Sequence, residues 1–447
     1  MVRRALAAAL AAAAFSATAL AAGVKSGPGN PCPKDTPCAS QYGDCGVGAF
    51  CLGGCDPLFS HQLNSCVPNP TCKAGQYKLK TLDDVKSIDT YLGDASTINW
   101  QSQGKPVVYN DALLLTMAEG TVGTLLASTH YVWYGKICAK MTTSQGKGVV
   151  TAFIMMSDVR DEIDFEFVGV DINHAQTNYY SQGVTVYTHG ENLTVSNGNT
   201  VEKVHEYCID WKPDTLTWAI DGNTMRTLKR SDTWNGTANR FDYPQTPSRV
   251  MLSLWPAGLP SNEKGTIDWA GGQIDWNSAY MQNGYYYAMV QEVTVQCYDP
   301  PSGANIQGDK SYIYTDKAGT NNTVKITDDL IVLSSFYATG ENPKEGASSV
   351  SSGAKPTKSI DTVPGGLTGG GNRGGEESSV PAGASATAAV SGGGAQPSAS
   401  AAAGGQGFNQ GGGGGNQGAG SSLEPGLGKM SGSAFAVVLA VLGLIAL

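Results

Sequence analysis

Residues 161–167 read Asp161-Glu162-Ile163-Asp164-Phe165-Glu166-Phe167. On a strand, alternate side chains share a face, so Glu162, Asp164 and Glu166 point one way and Ile163, Phe165 and Phe167 the other. The apolar set predicts a core contact, and the three carboxylates predict solvent or a cleft. Like charges in a row repel unless protons are shared between them. An acidic edge strand accounts for the charge, but not for its confinement to one face of a strongly aromatic strand. The row therefore reads as catalytic: two carboxyls flanking a glycosidic bond supply a general acid and a nucleophile, and a neighbour splits their pKa values. Strand positions four apart lie ~13 Å apart along the backbone, whereas a retaining pair needs ~5–5.5 Å between carboxyls. The motif thus predicts a curved sheet with a sugar lying across its concave face.

The text around this strand has the same character. Val149–Met156 is an apolar, partly β-branched run, and Asp161–Val170, Val184–His189, Val204–Asp210 and Val293–Cys297 alternate. Lys212-Pro213-Asp214 and Asp221-Gly222 place turns on either side of Thr215–Ile220. Short strands with turn chemistry between them, and no long helical period, predict an all-β fold, an antiparallel sandwich. All eight tryptophans lie between Trp100 and Trp276, which puts the large aromatic core there. Trp211, Trp218 and Trp269 read as core.

Beyond this region the composition changes. Residues 361–420 hold twenty-one glycines in sixty positions with one aromatic, Phe408, too little apolar surface to offset chain entropy, so a disordered linker is expected over 346–422. Residues 301–345 are mixed and carry no clear signal. Arg3 and Arg4, an Ala/Leu run and Ala19-Leu20-Ala21 read as a signal peptide over 1–21. At the other end Gly420-Ser421-Ser422, a polar spacer and the apolar stretch Ala434 to Leu447 follow the order of a glycosylphosphatidylinositol signal, with 423–447 as propeptide. The fourteen-residue tail falls short of the ~20 that a spanning helix needs. An extracellular protein, lipid-anchored at the plasma membrane or in the wall, is expected.

Ten cysteines suit that route. Seven of them, Cys32 to Cys72, crowd into 28–72, and three lie in the aromatic region. Odd plus odd requires one bridge between the two groups, most simply from Cys72. His174, His189 and His205 lack zinc-ligand spacing, so neither metal nor cofactor is expected. The net charge of −9 without a basic block excludes nucleic-acid binding. Sequons at Asn192, Asn235 and Asn321 predict glycosylated surface loops.

The acidic strand resembles the Glu-x-Asp-x-Glu strand of glycoside hydrolase family 16. Ala175-Gln176-Thr177-Asn178-Tyr179-Tyr180, His205 to Asp221, Tyr243-Pro244-Gln245-Thr246-Pro247, Ser253 to Gly258 and Gly265-Thr266-Ile267 narrow the resemblance to fungal Crh-type chitin–glucan crosslinking transglycosylases. That implies a concave jelly roll over 73–300 with Glu162 as nucleophile, Glu166 as acid/base and Asp164 assisting. It further implies Gln176, Asn178, Arg240, Trp255 and Thr266 as substrate contacts, and Tyr179 and Tyr180 as groove residues. Chitin is then the donor and β-1,3- or β-1,6-glucan the acceptor. The segment Cys38 to Gly46 with Phe50-Cys51 resembles family 18 chitin-binding modules, which implies Ser40, Tyr42 and Phe50 as sugar contacts. Ala39 and Asp44 depart from that pattern. A plain endo-hydrolase of chitin or β-glucan shares the same carboxylates, and a non-catalytic wall-binding protein is the alternative of another class.

Overall fold

The computed structural model describes residues 24–347 and Val363. The expected signal peptide, linker and anchor signal, with Gly420, Ser421 and Ser422, lie outside the described residues. Two eight-stranded sheets face each other. In the first, the strand Glu162–Val168 lies between His174–Tyr180 and Val149–Ser157; beyond the latter come Ser248–Pro256, Thr124–Val132, Trp100–Gln103 and Val85–Ser87. All these pairings are antiparallel except the edge pair Val85–Ser87 and Trp100–Gln103, which is parallel. The second sheet is built around Gly135–Met141 and the long Tyr285–Cys297 strand.

Aromatic and β-branched residues alternating along each strand produce the shared core. Ile163, Phe165 and Phe167 enter it beside Phe153, Tyr207, Trp211 and Trp218. Phe165 stacks between Phe153 and Phe167, at centroid distances of 6.1 and 6.3 Å. The one α-helix among the described residues is short, Lys264–Trp269. The stretch Val184–His189, read as alternating, is not a strand. Gln182 and Gly183 adopt positive φ and turn the chain out of the sheet, and 187–189 closes as a 3₁₀ turn with His189 stacked on Tyr179.

Val149–Ser157 is buried along its whole length, on both faces. Register explains this. Ala152, Ile154 and Met156 pair with Glu166, Asp164 and Glu162, so they share the carboxylate face and not the core face. That face is covered by the disulfide-stapled N-terminal unit, whose Tyr42 packs on Ala127, Ala152, Ile154, Met156 and Met251. Bridges 32–45, 38–51 and 55–66 hold the unit together, and Cys72–Cys297 joins it to the second sheet. Cys138–Cys208 ties directly opposed residues of neighbouring strands.

Residues 301–345, unreadable in the sequence, wrap this junction. Asn305–Ile306, Ser311–Tyr314 and Val324–Thr327 form a sheet with Asn69–Pro70, and Leu333 and Ala338 enter a small core with Phe50, Leu52, Val67 and Tyr91.

Candidate active site

The acidic strand is held at its start by Asp161. Its carboxylate accepts hydrogen bonds from the backbone N–H groups of Gln182, Gln245 and Thr246 and from the Thr246 hydroxyl, at 2.6–3.1 Å. The Tyr243–Pro247 segment is thereby fixed to the strand, and the Trp211 and Trp133 indoles donate to the Pro244 and Gln245 carbonyls. Halfway along, the Trp218 N–H donates to the Asp164 carbonyl at 3.0 Å. Arg226 stacks on Trp218 at 4.4 Å and bonds Thr177 and His189. These contacts fix the backbone from which the three carboxylates project.

Glu162, Asp164 and Glu166 share the outer face, as alternation requires, but they are not solvated: their exposures are 6 %, 1 % and 2 %. Burial pushes all three carboxyls above the ordinary carboxylate range. The charge of Asp164 pushes Glu162 and Glu166 further in the same direction. On Asp164, a hydrogen bond with Glu162 and the Arg226 charge act the other way. As two anions, Glu162 and Asp164 are acceptors without a donor: Glu162 Oε1 and both Asp164 oxygens are buried with no donor among the described residues. One proton between them converts repulsion into a hydrogen bond. A row of this kind holds a proton at neutral pH and can release it to a leaving group.

On the next strand Gln176, Asn178 and Tyr180 stand opposite Glu166, Asp164 and Glu162 and so line the same face. Asn178 donates to the Tyr180 hydroxyl at 2.7 Å, and its own oxygen accepts the Tyr179 N–H. Tyr179 itself faces the core, so of the two expected groove tyrosines only Tyr180 lies beside the carboxylates. Trp255 is on the carboxylate face through its pairing with Val150, and its indole nitrogen is buried without a partner. Trp269, read as core, instead stacks on Trp255 at 6.2 Å and donates to Gln176 Oε1 at 2.8 Å. It sits at the end of the short helix, whose sequence has no amphipathic period to reveal it. Thr266 is buried one turn earlier on that helix. Arg240 is taken up by Asp242 at 3.0 Å and by Gln182, away from the row's own contacts.

Alternation extended from Trp255 along Ser248–Pro256 finds three further residues of this face: Ser253, Met251 and Arg249 pair with Ala152, Ile154 and Met156. The Ser253 hydroxyl and the Arg249 Nε are buried without partners.

The expected sugar contacts of the N-terminal unit are turned inward. Phe50 is buried in the small core, against the short strand Cys45–Gly46, where a Cβ on Gly46 would stand 2.4 Å from its ring. The Ser40 hydroxyl accepts the N–H groups of Tyr42 and Asp44. Tyr42 faces the sheet. None of the three offers a free surface on which a sugar could stack. Two of the sequons differ from the loop expectation: Asn192 is exposed on a strand, and Asn235 lies on a short strand with its amide donating to Asp242; Asn321 opens a 3₁₀ turn in the connection between Ser311–Tyr314 and Val324–Thr327.

The profile of glycosyl hydrolases family 16 matches residues 94–271. Crh-like protein 2 of Aspergillus fumigatus is 56 % identical over 342 residues, which cover 76 % of this chain and 77 % of that protein. Congo red hypersensitive protein 2 of Saccharomyces cerevisiae is 43 % identical over 325 residues, 72 % of this chain and 69 % of that one. The solved Crh5 transglycosylase in complex with NAG is 32 % identical, with 61 % of this chain and 99 % of that one covered and a TM-score of 0.49. With its carboxylate row set in a family 16 sandwich, the chain belongs to the Crh-like proteins of glycosyl hydrolase family 16 and is an enzyme that breaks and transfers glycosidic bonds.

Proposed function

We propose that the chain cleaves chitin and transfers the released fragment to β-1,3- or β-1,6-glucan by a retaining double displacement. The observation that carries this reading is the buried row of three carboxylates on one face of one strand, in a chain of the Crh-like family. Glu166, held protonated by burial, donates its proton to the departing glycosidic oxygen while a Glu162 oxygen bonds to the anomeric carbon. In the resting row the shared hydrogen bond runs from Glu162 to Asp164, so the Glu162 proton passes to Asp164 as the Glu162 oxygen attacks. In the second half, Glu166 takes the proton of an acceptor hydroxyl, whose oxygen displaces Glu162 from the same carbon. Water is the competing nucleophile, and transfer prevails where the acceptor is held and water excluded. Trp255, Trp269, Gln176, Asn178, Tyr180 and Thr266 are proposed to line the path of the sugar. Arg240 is proposed to support Gln182 and the start of the acidic strand.

The test is incubation of the purified chain with chitin oligomers and labelled laminari-oligosaccharide. Labelled hybrid products are expected. Shortened chitin oligomers without hybrids would instead establish a plain hydrolase, and no turnover of either glycan would sink both readings. Five disulfides and the resemblance at both termini support an extracellular place, with a lipid anchor at Gly420, Ser421 or Ser422. Release from intact cells by a phosphatidylinositol-specific phospholipase tests the anchor. Retention with the 434–447 tail still detectable by mass spectrometry would replace it with a membrane helix.

A further inference from the structure

Of the sequons, Asn192-Leu193-Thr194 lies on the strand Glu191–Thr194, at the edge of the sheet that carries the acidic strand. Register gives the direction of its side chains. Leu193 pairs with Ala175 and both enter the core, so Asn192 and Thr194 point out of the opposite face. That is the face of the carboxylates, because Asn192 pairs with Gln176 and Gln176 with Glu166. Two strand spacings of ~4.8 Å put the Asn192 strand roughly 10 Å from the acidic strand, a distance that a disaccharide spans.

The face is open in this direction. On the other side of the acidic strand, Tyr42 packs on Ala152, Ile154 and Met156 and closes it. Toward the sheet edge the cover thins: Glu166 is 2 % exposed, Gln176 is half-buried with Trp269 donating to its Oε1, and Asn192 is exposed. The Asn192 amide has no hydrogen bond among the described residues, whereas the Asn235 amide donates to Asp242. A free, exposed asparagine in an Asn-x-Thr sequence, in a chain with five disulfides, is an acceptor for an N-glycan. Its amide nitrogen displaces the diphosphate of a polyisoprenyl diphosphate oligosaccharide. The sugar C1–N bond forms, the C1–O bond breaks, and the amide proton is lost as the diphosphate leaves. Rooted on the carboxylate face, the first sugars of that bulky chain stand in the space just beyond Gln176.

We propose that an N-glycan on Asn192 forms the end wall of the catalytic face and limits how far a bound polysaccharide extends past Glu166 on that side. This rests on the catalytic reading given above. The same glycan covers an edge strand whose unpaired N–H and C=O groups would otherwise invite another strand. The test uses the full chain secreted from a host that adds N-glycans, carrying Glu166→Gln so that binding is measured without turnover. Enzymatic release of the glycans in heavy-oxygen water turns an occupied Asn192 into a mass-labelled aspartate, read by peptide mass spectrometry. Thr194→Ala removes the sequon and keeps Asn192, and Thr194→Ser keeps the glycan. Calorimetric titrations then follow chito-oligosaccharides and laminari-oligosaccharides of increasing length. Thr194→Ala should bind the longer members of one series roughly three- to tenfold more tightly and the shortest no differently. Thr194→Ser should match its parent at every length. The affected series identifies the glycan that lies on this side. An unmodified Asn192 would overturn the proposal, as would equal affinities of Thr194→Ala and its parent at every length, or an equal shift at every length. Weaker binding of the longer members would overturn it too, since the glycan would then be a contact and not a wall. The catalytic reading fails separately, if the glycosylated chain with Glu166 intact turns over no glycan.

Discussion

Glu162, Asp164 and Glu166 each hold a proton more tightly in the folded chain than in the unfolded one. The folded state therefore binds more protons, and the row's contribution to stability falls as pH rises from about 4 toward the raised folded values. Glu166→Gln removes one such group and keeps its shape. Its melting temperature should match the parent near pH 3, where the glutamate is neutral in both states, and exceed it increasingly toward pH 8. A constant difference across that range would contradict the burial-driven shift. The same variant, like Glu162→Gln, should lose cleavage and transfer by roughly a thousandfold or more, measured as product formed per enzyme. Near-normal turnover would remove both residues from their proposed roles. Alternation alone assigned these three side chains to one face, because a strand's period of two is local. Their burial was not legible, since alternation gives a side chain's face and not what covers that face; on the neighbouring strand the cover comes from Tyr42, more than a hundred positions away.

At the scale of elements, the apolar run Val149–Ser157 shows what the sequence did reveal and what it concealed. A strand covered on one face alternates, and one covered on both reads as continuously apolar. The apolar run Val149–Met156 reads as a strand from sequence alone, but its second cover, the N-terminal unit, is distant in the chain and leaves no local signal. Trp269 was misread for a related reason: a large aromatic at the end of a six-residue helix carries no period, and its neighbour Trp255 is fourteen residues away. The Asp161 clamp is equally nonlocal, joining the acidic strand to residues more than eighty positions on. Asp161→Ala leaves three backbone donors and a hydroxyl without their acceptor in a buried site. It should cost about 3–5 kcal/mol in denaturant unfolding. Asp161→Asn keeps one oxygen and should cost less. Loss of activity in step with loss of stability would mark Asp161 as structural. Full stability with lost activity would give it a chemical role instead.

In the whole molecule, the N-terminal unit, the sandwich and residues 301–345 close on one another. The Gly54 N–H donates to Asp158 and to the Tyr131 hydroxyl, Asn69 donates to Asp158, and Asp56 pairs with Arg160 at 3.3 Å. Gly54 is bound to this arrangement by its φ of +87° and by Arg249, whose Nη2 stands 2.6 Å from where a Cβ would be. From the other side Gly48 donates to the Ala338 carbonyl, and Ser65 to the Glu341 carboxylate. An N-terminal module hinged on a linker would leave a catalytic domain able to stand alone. The contacts observed here do not permit that. A chain starting at Cys72 would keep its bridge to Cys297 but bare Ala152, Ile154, Met156 and Met251 to water, and leave Asp158 and Arg249 without their partners across the junction. It should aggregate, or melt well below the full chain. Gly54→Ala, which only disturbs the seam, should speed proteolytic cleavage within residues 24–72 and leave the second sheet protected. Recovery of a soluble 72–347 fragment with parental melting temperature and turnover would show that the unit is a passenger.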